Sequence, residues 1–113
     1  MRTKLQSSKQ ELLANLRQYI LELDESVEEV PKKFYIAYKI SQNFAVWKLT
    51  KVKSLFFLKV NADDLDEIPA NCRDVLNIGH FGTGDLEVAV NNKKEISIAK
   101  DLIAMSCNNI GGN

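Results

Sequence analysis

Three β-rich runs, Phe34 to Ile40, Phe44 to Thr50 and Ser54 to Val60, the first two with alternating side chains, fix most of what this chain can become. In the first run Phe34, Ile36, Tyr38 and Ile40 fall on one side, and Tyr35, Ala37 and Lys39 on the other. A period of two is the mark of a strand with one buried face. Only Ser41-Gln42-Asn43 and Lys51-Val52-Lys53 join the runs. Parallel neighbours need a crossover of roughly a dozen residues or more, so these strands fold back antiparallel. The expectation is a meander.

Helical patterns flank it. Ser8-Lys9-Gln10-Glu11 matches a capping box, and Leu12, Leu16, Tyr19, Ile20 and Leu23 then recur at helical spacing, which predicts a helix over residues 9–23. Asp24 to Glu29 reads as an acidic linker, and Pro31 biases Val30 away from helix. Asn61 to Ile68 is turn-prone, with Pro69 ending any short helix there. Arg73-Asp74-Val75 and Leu86 to Val90 read as brief strands. Asn92 as N-cap, with Glu95 three places on, opens a last helix striped by Ile96, Ala99, Leu102, Ile103 and Ser106 and stopped at Gly111-Gly112. The fold class is therefore α+β: a helix, an antiparallel sheet of four to five strands, and a helix. Both helices cover one sheet face and leave the other partly exposed.

With 113 residues the chain makes one domain, residues 1–113, standing alone or as the C-terminal module of a longer protein. Its 15 basic and 15 acidic residues leave no global field for gripping nucleic acid, so any such contact needs a local patch. No apolar run approaches the ~18 residues of a membrane span, so no membrane partner is expected and the location reads as cytoplasmic. Cys72 and Cys107 fit no metal or CxxC spacing and read first as reduced thiols, with a disulfide between them as the alternative. Asp63, Asp64, Asp66 and Glu67 lack the glycine and ligand period of a calcium loop and read as helix-start residues. No metal and no cofactor is expected.

Two constellations could carry function. Asn77-Ile78-Gly79-His80-Phe81-Gly82-Thr83-Gly84-Asp85 gathers three glycines and the only histidine just before a strand. Glycine permits positive φ and close backbone approach, which shapes either a site or a sheet corner. The loop lacks GxGxxG spacing, a Walker lysine and a following helix, so it is no phosphate loop of known type. His80 beside Asp85 could act as a base, but a lone histidine without a nucleophile motif reads as structural first. The second constellation is the meander itself, where Tyr35 and Trp47 stand among Lys39 and Lys48. Aromatics for stacking and lysines for phosphates are how small domains hold single strands. The plain alternative is packing for the aromatics and edge protection for the lysines.

These segments carry a resemblance. Val27 to Lys39, Asn43-Phe44-Ala45 and Arg73 to Val88, the last with its Gly-His-aromatic-Gly-Thr-Gly-Asp core, are similar to a bacterial and archaeal domain-of-unknown-function family. Its members are often labelled "predicted transport protein", a label that no membrane feature of this chain supports. Such domains frequently stand C-terminal to restriction-endonuclease-like nuclease domains, which implies an accessory role beside a nuclease. Phe81 stands where the pattern has tryptophan.

The functional expectation is a non-enzymatic binding module contacting nucleic acid or a nuclease domain through the loop and adjoining sheet face. Its candidate residues are Arg73, Asn77, His80, Phe81, Gly82, Thr83, Gly84, Asp85, Tyr35, Lys39, Trp47 and Lys48, with none catalytic. Alternatives are a small-ligand domain or enzyme centred on His80 and Asp85, and a structural or oligomerisation domain pairing through a strand such as Ser54 to Val60. The oligomeric state is open.

Overall fold

The computed structural model describes residues 4–49, 54–75 and 85–111. Helix α1 (Lys4–Leu21) precedes strands β1 (Glu28–Pro31), β2 (Ile36–Lys39), β3 (Asn43–Leu49) and β4 (Ser54–Leu58). A single 3-10 turn (Ala62–Asp64), β5 (Cys72–Asp74), β6 (Leu86–Ala89) and helix α2 (Lys93–Gly111) complete the order. The six strands form one sheet in the order β1-β2-β3-β4-β6-β5, and every neighbouring pair is antiparallel. The short connections dictate the first four places; β6 then closes on β4, and β5 folds back along β6 at the edge.

The α+β class stands, with more strands than the sequence patterns indicate. The additional strand is β1, where the sequence reads as an acidic linker. Glu28 and Glu29 have poor strand propensity, but pairing Glu28↔Lys39 through Pro31↔Ile36 overrides it. Pro31 is tolerated because β1 is an edge strand and the proline is its last residue. Helix α1 also begins before its apparent capping box. Ser8 lies inside the helix, and the good helix formers around Leu5 and Gln6 carry the helical backbone N-terminal to it.

Both helices cover the same sheet face. Leu16 and Ile20 of α1 and Ala99 and Ile103 of α2 are fully buried against Tyr38, Phe56, Leu58, Leu86 and Val88. One irregularity shapes this layer. Tyr38 pairs with Ala45 but Lys39 pairs with Asn43, so Phe44 is an extra residue in β3. A bulge of this kind re-aims a side chain, and Phe44 joins Ala45 in the helix-side core instead of alternating away from it. The regular β3–β4 register stops at Ala45↔Leu58. Beyond it α2 supplies the missing bonds: Ser106 Oγ accepts from Lys59 N at 2.7 Å and donates to the Phe44 carbonyl. Asn109 Nδ2 adds a bond of 2.7 Å to the Lys59 carbonyl. Asn92 caps the start of α2, accepting from Glu95 N at 2.9 Å, while Glu95 Oε1 accepts from Asn91 N at 2.8 Å.

At the other corner α1 is tied to the sheet edge. Arg17 clamps the Glu29 carboxylate with Nε and Nη2 at 2.6 and 2.8 Å, and the fully buried Tyr38 hydroxyl donates to the same carboxylate at 2.8 Å. Arg17's hydrogen bonds hold the Glu29 carboxyl below the usual carboxylate range, and burial together with Glu29 pushes the Tyr38 phenol up.

The helix-free face is not simply open. Ala37, Val46, Phe57 and Val75 form a second, smaller buried cluster with no helix residue in it.

Candidate functional site

The register places each candidate. Alternation puts Tyr35, Ala37 and Lys39 on the helix-free side, since Ile36 and Tyr38 face the helices. By the same parity Lys48 follows Val46, and Arg73, Asp85 and Glu87 face away from the helix-packed Cys72, Leu86 and Val88. Of the six candidates inside the described residues, Tyr35, Lys39, Lys48, Arg73 and Asp85 therefore share one face. Trp47 does not. Its ring stacks on Phe56 at 5.5 Å with planes 13° apart, on the helix side, and its indole N–H is enclosed without a partner.

The sharing is of a face, not of a point. β2 and β5 are four strand spacings apart, roughly 19 Å at ~4.8 Å each. Arg73 sits at the far edge beside Glu87, Nη2 to Oε2 3.2 Å, with 60% of its side chain exposed. An exposed pair of this length contributes little to stability and leaves the guanidinium accessible. The glycine segment is bracketed firmly: Val75 N donates to the Asp85 carbonyl at 2.9 Å, and Asp85 N donates to the Leu58 carbonyl at 2.8 Å. Asn77, His80, Phe81, Gly82, Thr83 and Gly84 lie outside the described residues.

Acids and bases are interleaved along the face: Glu28 pairs across from Lys39 and Glu87 from Arg73, while Lys32 and Lys33 stand at the β1–β2 connection. That connection is a tight hairpin: Pro31 pairs with Ile36, and Lys32 N donates to the Tyr35 carbonyl at 2.7 Å, leaving Lys33 and Phe34 at the tip. Phe34 is 66% exposed, with Lys33 Nζ 5.4 Å above its ring. Sequence alternation assigns Phe34 to a strand; the Pro31-Lys32-Lys33 run before it is the signal that a turn intervenes. Beside the tip Lys32, Phe34, Tyr35, Ile36 and Trp47 line a hollow of about 180 Å³.

Two further hollows, about 540 and 270 Å³, flank Lys100 between the helices. Its ammonium is already engaged, 5.3 Å over the Tyr19 ring and 3.2 Å from Asn15 Oδ1. Neither thiol is disulfide-bonded. Burial, with Glu95 nearby, pushes Cys72 up to about 11, and burial likewise raises Cys107. Thiols so shifted are poor nucleophiles near neutrality. Among the described residues, no group of three or more potential ligands could hold a metal ion. Asp63 and Asp64 occupy the first turn of the 3-10 segment, capped by Asn61, whose Oδ1 accepts from Asp63 N at 2.9 Å.

Over residues 2–106 the chain matches a family described as a domain of unknown function, DUF5655. It is also 30% identical over 94 residues to an uncharacterized protein of Haemophilus influenzae, a match covering 83% of this chain and 31% of that relative. The chain thus spans under a third of the relative's length. No solved structure matches it. No helix among the described residues is long and apolar enough to cross a membrane.

Proposed function

We propose that this chain, which belongs to the DUF5655 family, is a non-enzymatic accessory module that contacts nucleic acid, or a nuclease acting on it, through the helix-free sheet face and the Gly79–Asp85 segment. The observation that carries the reading is the spread of the candidates. Tyr35, Lys39, Lys48, Arg73 and Asp85 share one face, yet β2 and β5 stand roughly 19 Å apart. An extended ligand can touch such a set; one small molecule cannot. The extent of the H. influenzae relative beyond the match is consistent with a module that serves another part of a larger protein.

The test is an amide NMR titration with short single-stranded and duplex DNA and RNA at low and moderate salt. Shifts should gather on the helix-free face and on residues 79–85, fade as salt rises, and weaken in a Lys48→Ala, Lys51→Ala double variant. Binding indifferent to salt and to those substitutions would refute the nucleic-acid contact. Shifts that appear only with a nuclease domain would assign the face to the protein partner.

A further inference from the structure

A two-residue hairpin tip is a place for asparagine and glycine, which accept the backbone the turn demands. Here Lys33 and Phe34 occupy it. Phe34 turns 66% of its surface to solvent, so folding gains little from it. A local rule broken without a structural return marks a functional position. The tip also adjoins a hollow of about 180 Å³ whose wall includes Tyr35 and Trp47. That volume is below the ~300–1,000 Å³ of a whole small-molecule site and suits a single ring system. Trp47 is held in place by its stack on Phe56, so the hollow is preformed on that side. No carboxylate lines it, and Lys32 and Lys33 bring two cations to its rim.

We infer that the β1–β2 hairpin tip is an aromatic clamp for one unpaired base of a single-stranded nucleic acid. The base enters the hollow between Phe34 and Trp47, on the Trp47 side of the sheet, and the flanking phosphates lie on Lys32 and Lys33. This rests on the nucleic-acid reading above but places its specific contact at the opposite sheet edge from β5. Aromatic rings supply a sequence-tolerant platform because every base has a π-face, and the lysines match the charge of the strand. A duplex keeps its bases stacked and offers none to the hollow.

Trp47 is the chain's single tryptophan, so its fluorescence reads the hollow directly. Titrating the protein at low salt with a single-stranded oligonucleotide should quench that emission, and the same sequence as a duplex should not. Phe34→Ala, at an exposed position, should weaken single-strand binding roughly five- to a hundred-fold. Lys32→Ala with Lys33→Ala should weaken it and flatten its salt dependence. If oligonucleotides bind by anisotropy but Phe34→Ala changes nothing, the clamp is overturned while the broader reading stands. If no oligonucleotide binds at all, the clamp falls together with the nucleic-acid contact it rests on, and only the nuclease arm of the broader reading is left. Quenching by phosphatidylglycerol vesicles in place of oligonucleotides would overturn the clamp and make the tip a membrane-surface element.

Discussion

The two faces of the sheet are built from the same strands and held by different means. On the covered face, Leu16, Ile20, Ile103 and their sheet partners are shut from water by helices, and helix side chains also bond the strands directly through Ser106, Asn109 and Arg17. Among the described residues of the other face, Ala37, Val46, Phe57 and Val75 are buried, with Val30, Tyr35 and Leu55 half-buried beside them and lysine, arginine and carboxylates around. Stability is thus concentrated on one side. The other side is left chemically varied, which is where a binding surface can be afforded.

The largest effect that separates the faces should come from adjacent residues of β4. Phe56→Ala removes a fully packed ring from the covered side and should cost about 3–5 kcal/mol, whereas Leu55→Ala, half-buried on the other side, should cost about 1–2 kcal/mol. Urea denaturation followed by circular dichroism measures both; equal losses would erase the distinction. Next in size is Ser106→Ala. It strands the Lys59 N–H and the Phe44 carbonyl beside the bulge, and should cost about 1–3 kcal/mol. A neutral result would mean that the strands close on each other there without the helix.

The smallest effect tests the α1 corner by pH. Arg17 lowers the Glu29 carboxyl from its usual 4.5, so Glu29 favours the fold above that value and loses its contribution as pH falls through the lowered one. Urea midpoints of the parent should therefore fall below about pH 4.5 more steeply than those of Arg17→Met. The clamp is partly exposed and screened, so this difference should be less than either core effect. Matching pH profiles would show that α1 is held by its apolar stripe alone.

What the sequence made legible follows the same division. The buried stripes of both helices and the alternation around β2 are dictated by burial, and burial writes a period. β1 carries no such period: Glu28, Glu29 and Pro31 stand in a strand because β2 and Arg17 hold them there. The bulge at Phe44 was equally silent, since nothing local distinguishes the extra residue from a regular one. Of the candidate surface, the lysine and tyrosine sides were readable by parity. The side on which Trp47 stands was not, because an aromatic in an alternating strand looks the same whether its face is packed or open. The exposure of Phe34 was hidden for the opposite reason, its place in the pattern concealing the hairpin tip.

The sheet's borders bear on how a partner can approach. β1 is four residues long and ends in proline, and β5 is three residues long and carries Arg73 and Asp74. β4, the most apolar strand, is enclosed between β3 and β6, which rules out pairing through it. Neither described border offers a length of bare backbone on which another strand could template itself. Whatever meets either described border therefore meets side chains, not a ladder of open hydrogen-bonding groups.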